Sequence, residues 1–258
     1  MLSDLKGKRA LVLGIANNYS IAWGIAEKLN QAGVELTLTY SHDNLKRRVE
    51  ELAAKVNCTK ILKFDAEVAT DYDSLKSELL KHWGNFDILV HSIAYADKEN
   101  LRGDISETKL EQFNMALNIS SYSLMKLTNS LKNMIKENGS VISLSYIGSV
   151  LAIDNYNIMG VAKAALESIN RYLAVELGHK KIRSNCISAG PIKTLSSSAI
   201  SGFRDMLKIV EERAPLHKNV TIEDVGNCAT FLASEMSSSI TGQVIYVDNG
   251  LSIKGTAG

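Results

Sequence analysis

The chain has 258 residues, of which 45% are hydrophobic and 22% charged, as in a globular protein. Its net charge of +1 argues against a nucleic-acid or membrane surface, and no apolar run approaches the roughly 20 residues of a membrane span. The five histidines lack metal-ligand spacing, so no metal site is expected. A strand is predicted so close to Met1 that we expect no signal peptide, and the three scattered cysteines indicate reduced thiols in a cytoplasmic protein.

Short apolar runs alternate with longer amphipathic runs along the chain. In chain order they predict strands at 10–14, 34–40, 60–64, 86–91, 140–145, 183–188 and 243–247. The helices predicted between them span 21–32, 44–56, 72–83, 109–136, 155–177 and 222–234. This alternation implies an α/β fold, a Rossmann-type doubly wound parallel sheet of about seven strands with helices on both faces. We expect a single domain, 1–258, in which segment 195–215 covers a bound ligand.

The turn after the first strand indicates a nucleotide site. Gly14 allows backbone to approach a pyrophosphate, Ser20 is suited to cap the next helix, and Gly24 would let that helix approach the sheet. The turn does not follow the G-x-G-x-x-G pattern, so these glycines are also consistent with a turn and a packing contact alone. Asp65, after the third strand, either binds an adenine amino group or caps the helix that follows.

Tyr156 and Lys163 are the candidate reactive pair. They lie seven positions apart in a predicted helix, which is close to two full turns, so they share one face. An ammonium near a phenol lowers the pKa of the phenol, which suits a group that polarises or protonates an oxyanion. Tyr146 precedes the pair at the end of the fifth strand. The alternative is that Tyr156 packs under a loop and Lys163 is solvated.

Six motifs occur in an order that resembles one enzyme family. They are Gly14…Ser20-Ile-Ala-Trp-Gly24, His91-Ser-Ile-Ala94, Asn118-Ile-Ser-Ser-Tyr-Ser123, Tyr156-Asn-Ile-Met-Gly-Val-Ala-Lys163, Ser188-Ala-Gly-Pro-Ile-Lys-Thr-Leu195 and Val247-Asp-Asn-Gly250. Over almost the whole chain they resemble the bacterial enoyl-acyl-carrier-protein reductases, a divergent branch of the short-chain dehydrogenase/reductase superfamily. Ordinary members of that superfamily have Tyr-x3-Lys, whereas the residue four before Lys163 here is Met159, which cannot donate a proton.

The resemblance implies an activity and a set of site residues. The activity is NADH-dependent reduction of the trans-2 double bond of enoyl thioesters in fatty-acid elongation, on substrates carried by acyl carrier protein, by a homotetramer. Lys163 would hold the nicotinamide ribose, Tyr156 would bind the thioester carbonyl, and Tyr146 would stand near the substrate. The other expected cofactor contacts are Gly14, Ser20, Ile21, Ser41, Asp65, Ala66, Ile93, Ile192 and Thr194. The expected lining of the acyl pocket is Tyr95, Ala96, Met159, Phe203 and Met206.

The residues after the second strand favour NADH over NADPH. NADPH-preferring relatives place basic side chains there, whereas this chain has Ser41 and His42, and the basic run 46–48 comes later on a helix. Two other functions stay open at this point. A carbonyl-reducing dehydrogenase is one, although the absent Tyr-x3-Lys counts against it. A non-catalytic nucleotide-binding scaffold is the other.

Overall fold

The computed structural model describes residues 3–195, 197 and 202–255. Within them, seven strands form one sheet in the order β3-β2-β1-β4-β5-β6-β7, and every neighbouring pair is parallel. The strands are β1 (Arg9–Leu13), β2 (Glu35–Tyr40), β3 (Lys60–Lys63), β4 (Phe86–His91), β5 (Ile135–Ser145), β6 (Arg183–Ala189) and β7 (Val244–Val247). The helices are α1 (Ile21–Gln31), α2 (Asp43–Lys55), α3 (Ala69–His82), α4 (Leu110–Leu117), α5 (Ser123–Leu131), α6 (Asn157–Leu177), α7 (Phe203–Arg213) and α8 (Ile222–Ala233). The predicted fold class is confirmed.

The sheet is buried on both faces, which explains the unbroken apolar run from Ala10 to Leu13 in its central strand β1. Along β1, Ala10 and Val12 pack into a core with α1, α2 and α8, whereas Leu11 and Leu13 pack into a core with α3, α5 and α6. The strand order reverses between β1 and β4, whose last residues Leu13 and His91 are paired. A crevice at the carboxyl ends of strands that flank such a reversal is where open α/β sheets bind ligands. None of the described helices has the length and hydropathy needed to cross a membrane.

Two glycines let helices α1 and α8 cross closely. A Cβ at Gly24 would lie 2.3 Å from the carbonyl oxygen of Ile222, and a Cβ at Gly226 would lie 2.5 Å from the carbonyl oxygen of Gly24. The expectation that Gly24 lets its helix approach the sheet was therefore wrong. The missing side chain makes room for a second helix.

The predicted helix 109–136 is not continuous. It divides into α4, a π-helical turn at Asn118–Tyr122, and α5, and strand β5 already begins at Ile135. Ile135 is buried and pairs with Phe86, after which the ladder shifts its register. Apolar spacing along 131–135 is compatible with a helix, so strand pairing decided the outcome. The helix predicted from position 155 begins at Asn157, because Asn155 has a left-handed backbone (φ 57°).

Of segment 195–215, the structure describes Leu195, residue 197 and the part from 202 onward, which contains α7. Ile200, an apolar residue of the predicted cover, lies outside the described residues.

Candidate active site

The predicted cofactor residues lie along one edge of the sheet. Those that follow the strands are Gly14 after β1, Ser41 after β2, Asp65 and Ala66 after β3, Ile93 after β4, and Ile192 and Thr194 after β6. Ser20 and Ile21 stand at the start of α1, the helix that follows β1. Because all the strands are parallel, their carboxyl ends meet at this edge, and the structure brings these predicted positions to the same side of the molecule.

Gly14 lies where two of these loops touch. Its backbone has φ +98°, and a Cβ would lie 1.9 Å from the carbonyl oxygen of Ser92, the residue after β4. The Ser92 amide donates to the carbonyl of Leu13 at 3.3 Å, so this neighbour is fixed. No side chain larger than hydrogen fits at position 14 without a backbone shift. The bare backbone leaves room for a ligand to approach closely.

Ser20 occupies the N-cap position of α1, but its hydroxyl makes no capping hydrogen bond. Ser20 Oγ instead accepts from the amides of Ala16 and Asn17, at 3.1 Å each. The predicted N-cap position of Ser20 is therefore confirmed, but its hydroxyl does not cap the helix, because the preceding loop folds back over the serine. The hydroxyl orders the loop that leads from Gly14 to the helix.

Asp65 faces the end of β2. Its Oδ2 atom lies 3.4 Å from Nδ1 of His42, and its Oδ1 atom accepts from the amide of Glu67 at 3.0 Å. Helix α3 begins only at Ala69, with Val68 at the N-cap, so Asp65 does not cap it. The carboxylate adds negative charge beside the residues that follow β2.

The basic run on α2 is engaged by acidic neighbours on the same helix. Lys46 Nζ lies 3.9 Å from a carboxylate oxygen of Glu50, and Arg47 Nε lies 3.2 Å from a carboxylate oxygen of Glu51. These pairs at i,i+4 keep two of the three basic side chains along the helix surface.

Two tyrosine rings pack against each other at the end of β5. Tyr146 follows the strand directly, and Tyr156 is the N-cap residue of α6. Their ring centroids lie 4.8 Å apart with an interplanar angle of 63°. A Cβ at Gly148 would lie 2.5 Å from the ring of Tyr156, so the glycine makes room for that ring. The Tyr146 hydroxyl points to the sulfur of Met206 on α7, at 4.0 Å.

Burial sets the protonation of these groups. It raises the pKa of Tyr146 to about 12, and burial together with the neighbouring Tyr146 also raises the pKa of Tyr156. Burial lowers the pKa of Lys163 to about 8, and its ammonium donates to the carbonyl of Leu144 at 2.7 Å. The expected lowering of the Tyr156 pKa by Lys163 was wrong, since burial dominates and the ammonium is held elsewhere. Tyr156 is a neutral hydrogen-bond donor.

Two of the predicted acyl-pocket residues, Tyr95 and Met159, are joined through Ser120, in the π-helical turn. Ser120 Oγ accepts from the amide of Tyr95 and donates to its carbonyl, both at 3.0 Å, and lies 3.7 Å from the sulfur of Met159. Met159 is buried, whereas the Tyr95 ring is exposed and its hydroxyl donates to Asp97. The turn thus ties the loop that follows β4 to α6. Single π-helical turns are frequent at functional sites.

The remaining predicted residues differ in their surroundings. Ala96 is half-buried in the loop after β4, and Phe203 is buried at the start of α7. Ile192 is buried after β6, and Ile93 packs against the core that contains α5 and α6. Thr194 is tied to Ser197, because its amide donates to Ser197 Oγ at 2.7 Å.

Ser120 lies in the motif Asn118–Ser123 but was not predicted as a site residue, and the sequence pattern did not point to the group formed by Ser145, Ser149 and Glu167. Glu167 Oε1 accepts from both serine hydroxyls. The available signal was the position of Glu167, one helical turn after Lys163. Among the described residues, no group of three or more His, Cys, Asp or Glu side chains could hold a metal ion.

Comparison with known proteins gives consistent matches over nearly the whole chain. A family model described as "Enoyl-(Acyl carrier protein) reductase" matches residues 14–252. The NADH-dependent enoyl-[acyl-carrier-protein] reductase FabI of Synechocystis sp. is 50% identical over 255 residues, covering 98% of this chain and 99% of the relative.

Solved structures agree with that match. The enoyl-[acyl-carrier-protein] reductase (NADH) of Aquifex aeolicus has a TM-score of 0.94 at 44% identity, covering 98% of this chain and 99% of that one. The Bacillus cereus enoyl-acyl carrier protein reductase, solved with NADP+ and indole naphthyridinone, has a TM-score of 0.96 at 40% identity, with the same coverage.

Proposed function

We propose that Tyr146, Tyr156 and Lys163 are the catalytic residues of this chain, which belongs to the enoyl-acyl-carrier-protein reductase family. The protein is an NADH-dependent oxidoreductase that reduces the trans-2 double bond of enoyl thioesters in fatty-acid elongation. One observation carries the assignment of residues. Two packed tyrosine rings, 4.8 Å apart, stand at the carboxyl end of β5, and the carbonyl of Leu144 in that strand end accepts from the buried Lys163 ammonium.

The edge of the sheet fits a dinucleotide. The bare backbone at Gly14 would hold the pyrophosphate together with the start of α1, and Lys163 would hold the nicotinamide ribose. Asp65 would accept from the adenine amino group. NADH supplies, when bound, the hydride that reduces the double bond. The contacts of Asp65 with His42 and of Lys46 with Glu50 support the choice of NADH, because a 2′-phosphate would meet a carboxylate there instead of a free basic fork.

Tyr156 is the proposed donor to the thioester carbonyl oxygen. Negative charge develops on that oxygen when the double bond is reduced, and a hydrogen bond made to that charge speeds the reaction. Because its pKa is raised, the phenol keeps its proton at neutral pH and serves as a donor. Tyr146 packs on the same ring and can supply a second hydroxyl.

The acyl chain would lie in an apolar space lined by Tyr95, Ala96, Met159, Phe203 and Met206. Support comes from the contact of Ser120 with Met159 and Tyr95, and from the Tyr146 hydroxyl directed at Met206. Helix α7 would then cover the tyrosines and exclude water, with acyl carrier protein bound outside it. We propose that the whole chain acts as one domain, with α7 as the described part of its cover.

We also propose that the protein is a homotetramer in the cytoplasm. Apolar side chains are exposed on adjacent surfaces of α5, α6 and the π-helical turn, namely Tyr122, Met125, Val161, Tyr172 and Val175. Such a surface is typical of subunit contacts. The three free cysteines are consistent with a reducing compartment. Light scattering behind size exclusion would give the number of subunits.

The function is tested by following the loss of NADH absorbance with crotonyl thioester. We expect oxidation of NADH with the enoyl thioester and none with a ketone of similar length. Oxidation with the ketone alone would favour a carbonyl-reducing dehydrogenase. If neither substrate is reduced although NADH binds, the chain is a nucleotide-binding scaffold.

A further inference from the structure

Glu167 is a buried carboxylate that the proposed reaction does not use. It lies on α6, one turn after Lys163, and only 6% of its surface is exposed. Its Oε1 atom accepts from Ser145 Oγ at 2.5 Å and from Ser149 Oγ at 2.7 Å. Burying a carboxylate is costly unless it is hydrogen-bonded, and these two donors offset part of that cost.

The two serines enclose the turn that carries Tyr146. Ser145 is the last residue of β5, and Ser149 ends the 3₁₀ turn Ile147–Ser149. Between them lies Gly148, which faces the ring of Tyr156. Glu167 therefore ties both ends of this turn to α6. The position of the Tyr146 ring against Tyr156 depends on that turn.

Lys163 holds the same strand end from the same helix. Its ammonium donates to the carbonyl of Leu144, the residue before Ser145. Two neighbouring residues of β5 are thus held by side chains of opposite charge, one helical turn apart. This arrangement couples the placement of the ammonium to the placement of the tyrosine turn.

The titratable groups around Lys163 are His91 on β4, Cys186 on β6 and Glu167 on α6. His91 on β4 is buried with its pKa lowered to about 3, so it is neutral. Cys186 on β6 is buried with its pKa raised to about 12, so its thiol is neutral as well. Arg171, further along α6, acts on Cys186. Cys186 and then Glu167 partly offset the lowering of the Lys163 pKa by burial, and because the Cys186 thiol is neutral, Glu167 is the group that brings negative charge.

We infer that Glu167 is a positioning residue of this active site, which holds the Tyr146 turn in place and keeps the Lys163 ammonium charged. This inference rests on the roles proposed above for Tyr146 and Lys163. Glu167 itself would touch neither substrate nor cofactor.

Three variants test it. Glu167→Gln keeps the shape and can still accept from the serines but removes the charge, and Ser149→Ala removes one donor but keeps the charge. Glu176→Gln is the matched control, since Glu176 lies on the same helix, is exposed, and pairs with Lys132. Each variant is checked for folding by circular dichroism. The measurements are kcat and KM with crotonyl thioester, and NADH affinity by fluorescence titration across the pH range.

We expect Ser149→Ala to lower kcat by about 10-fold or more, since small misplacements of catalytic groups cost up to about 10²-fold. NADH affinity at neutral pH should then change less than about twofold. Glu167→Gln should lower kcat. NADH affinity should also begin to fall at a lower pH than in the wild type, because Lys163 loses its proton at a lower pH. Glu176→Gln should resemble the wild type.

Unchanged kcat and an unchanged pH midpoint in Glu167→Gln would overturn the inference. A loss of thermal stability alone, with both kinetic readouts preserved, would overturn it too and leave Glu167 structural. If Glu167→Gln does not fold, the kcat of Ser149→Ala tests the inference, and a wild-type kcat in that variant would overturn it. If the wild type binds NADH but does not reduce the enoyl thioester, the proposed function fails, and the pH midpoint of NADH binding still decides the role of Glu167.

Discussion

Replacing Tyr156 by phenylalanine removes one hydroxyl oxygen and keeps the ring. The ring remains packed between Gly148 and Tyr146, with its centroid 4.8 Å from that of Tyr146. The hydrogen bonds found among the described residues include none from the Tyr156 hydroxyl, so the fold loses no internal partner. We therefore expect the variant to fold and to bind NADH almost as the wild type does.

The rate should fall much more than NADH affinity. Removing one donor to a developing oxyanion typically costs about 10²–10³-fold in kcat, or about 2.7–4 kcal/mol. The pKa of Tyr146 is about 12 and that of Tyr156 is also raised, so both phenols keep their protons at neutral pH. The loss should therefore be the same on either side of neutrality. Tyr146 can supply the remaining donor and limit the loss.

The assay compares Tyr156→Phe, Tyr146→Phe and the double variant, because groups that act as a unit are not additive. Turnover is followed with crotonyl thioester at saturating NADH, and NADH affinity is titrated separately. Tyr246→Phe is the control, since that ring is partly exposed on β7 and has no role in the proposed site. If Tyr156→Phe kept the wild-type kcat/KM while Tyr146→Phe lost most of it, the roles proposed for the two tyrosines would have to be exchanged. If neither single variant changed turnover, both tyrosines would be structural residues.

The remaining predictions concern the cofactor. NADH affinity should fall as pH rises through about 8, where Lys163 loses its proton. Calorimetric titration should show that Lys163→Ala weakens the free energy of NADH binding by roughly 1.5–3 kcal/mol and removes this pH dependence. Steady-state kinetics should give a higher kcat/KM with NADH than with NADPH, and His42→Arg should narrow the difference in kcat/KM between the two cofactors. Equal turnover of the wild type with NADH and NADPH would contradict this prediction. Gly14→Ala should weaken NADH binding and lower the free energy of unfolding in urea by at least about 1 kcal/mol more than Gly84→Ala. Both glycines have positive φ, but only at position 14 would a Cβ meet a backbone atom, the carbonyl oxygen of Ser92. Equal losses of unfolding free energy in Gly14→Ala and Gly84→Ala would show that this contact does not affect stability.

Local pattern was enough to predict the architecture. Apolar runs of strand length alternate with amphipathic runs of helix length, and this order permits little other than a doubly wound parallel sheet. The ordered motifs identified the family, and Ser41 and His42 after the second strand favoured NADH; both predictions are confirmed by relatives that match 98% of the chain. The C-terminal end of the predicted helix 109–136 could not be predicted in this way, because Ile135 has the same apolar character whether it ends a helix or pairs with Phe86 in a strand.

Spacing alone determined that Tyr156 and Lys163 would lie near one end of one helix, since helical geometry is local. Tertiary structure decided what each of them touches. The Lys163 ammonium donates to Leu144 across the strand end, and burial raises the pKa of Tyr156, because the surrounding elements exclude water from both. The two serines that hold Glu167 come from the end of β5 and the turn after it. Such contacts join positions up to 22 residues apart, so no periodicity reveals them.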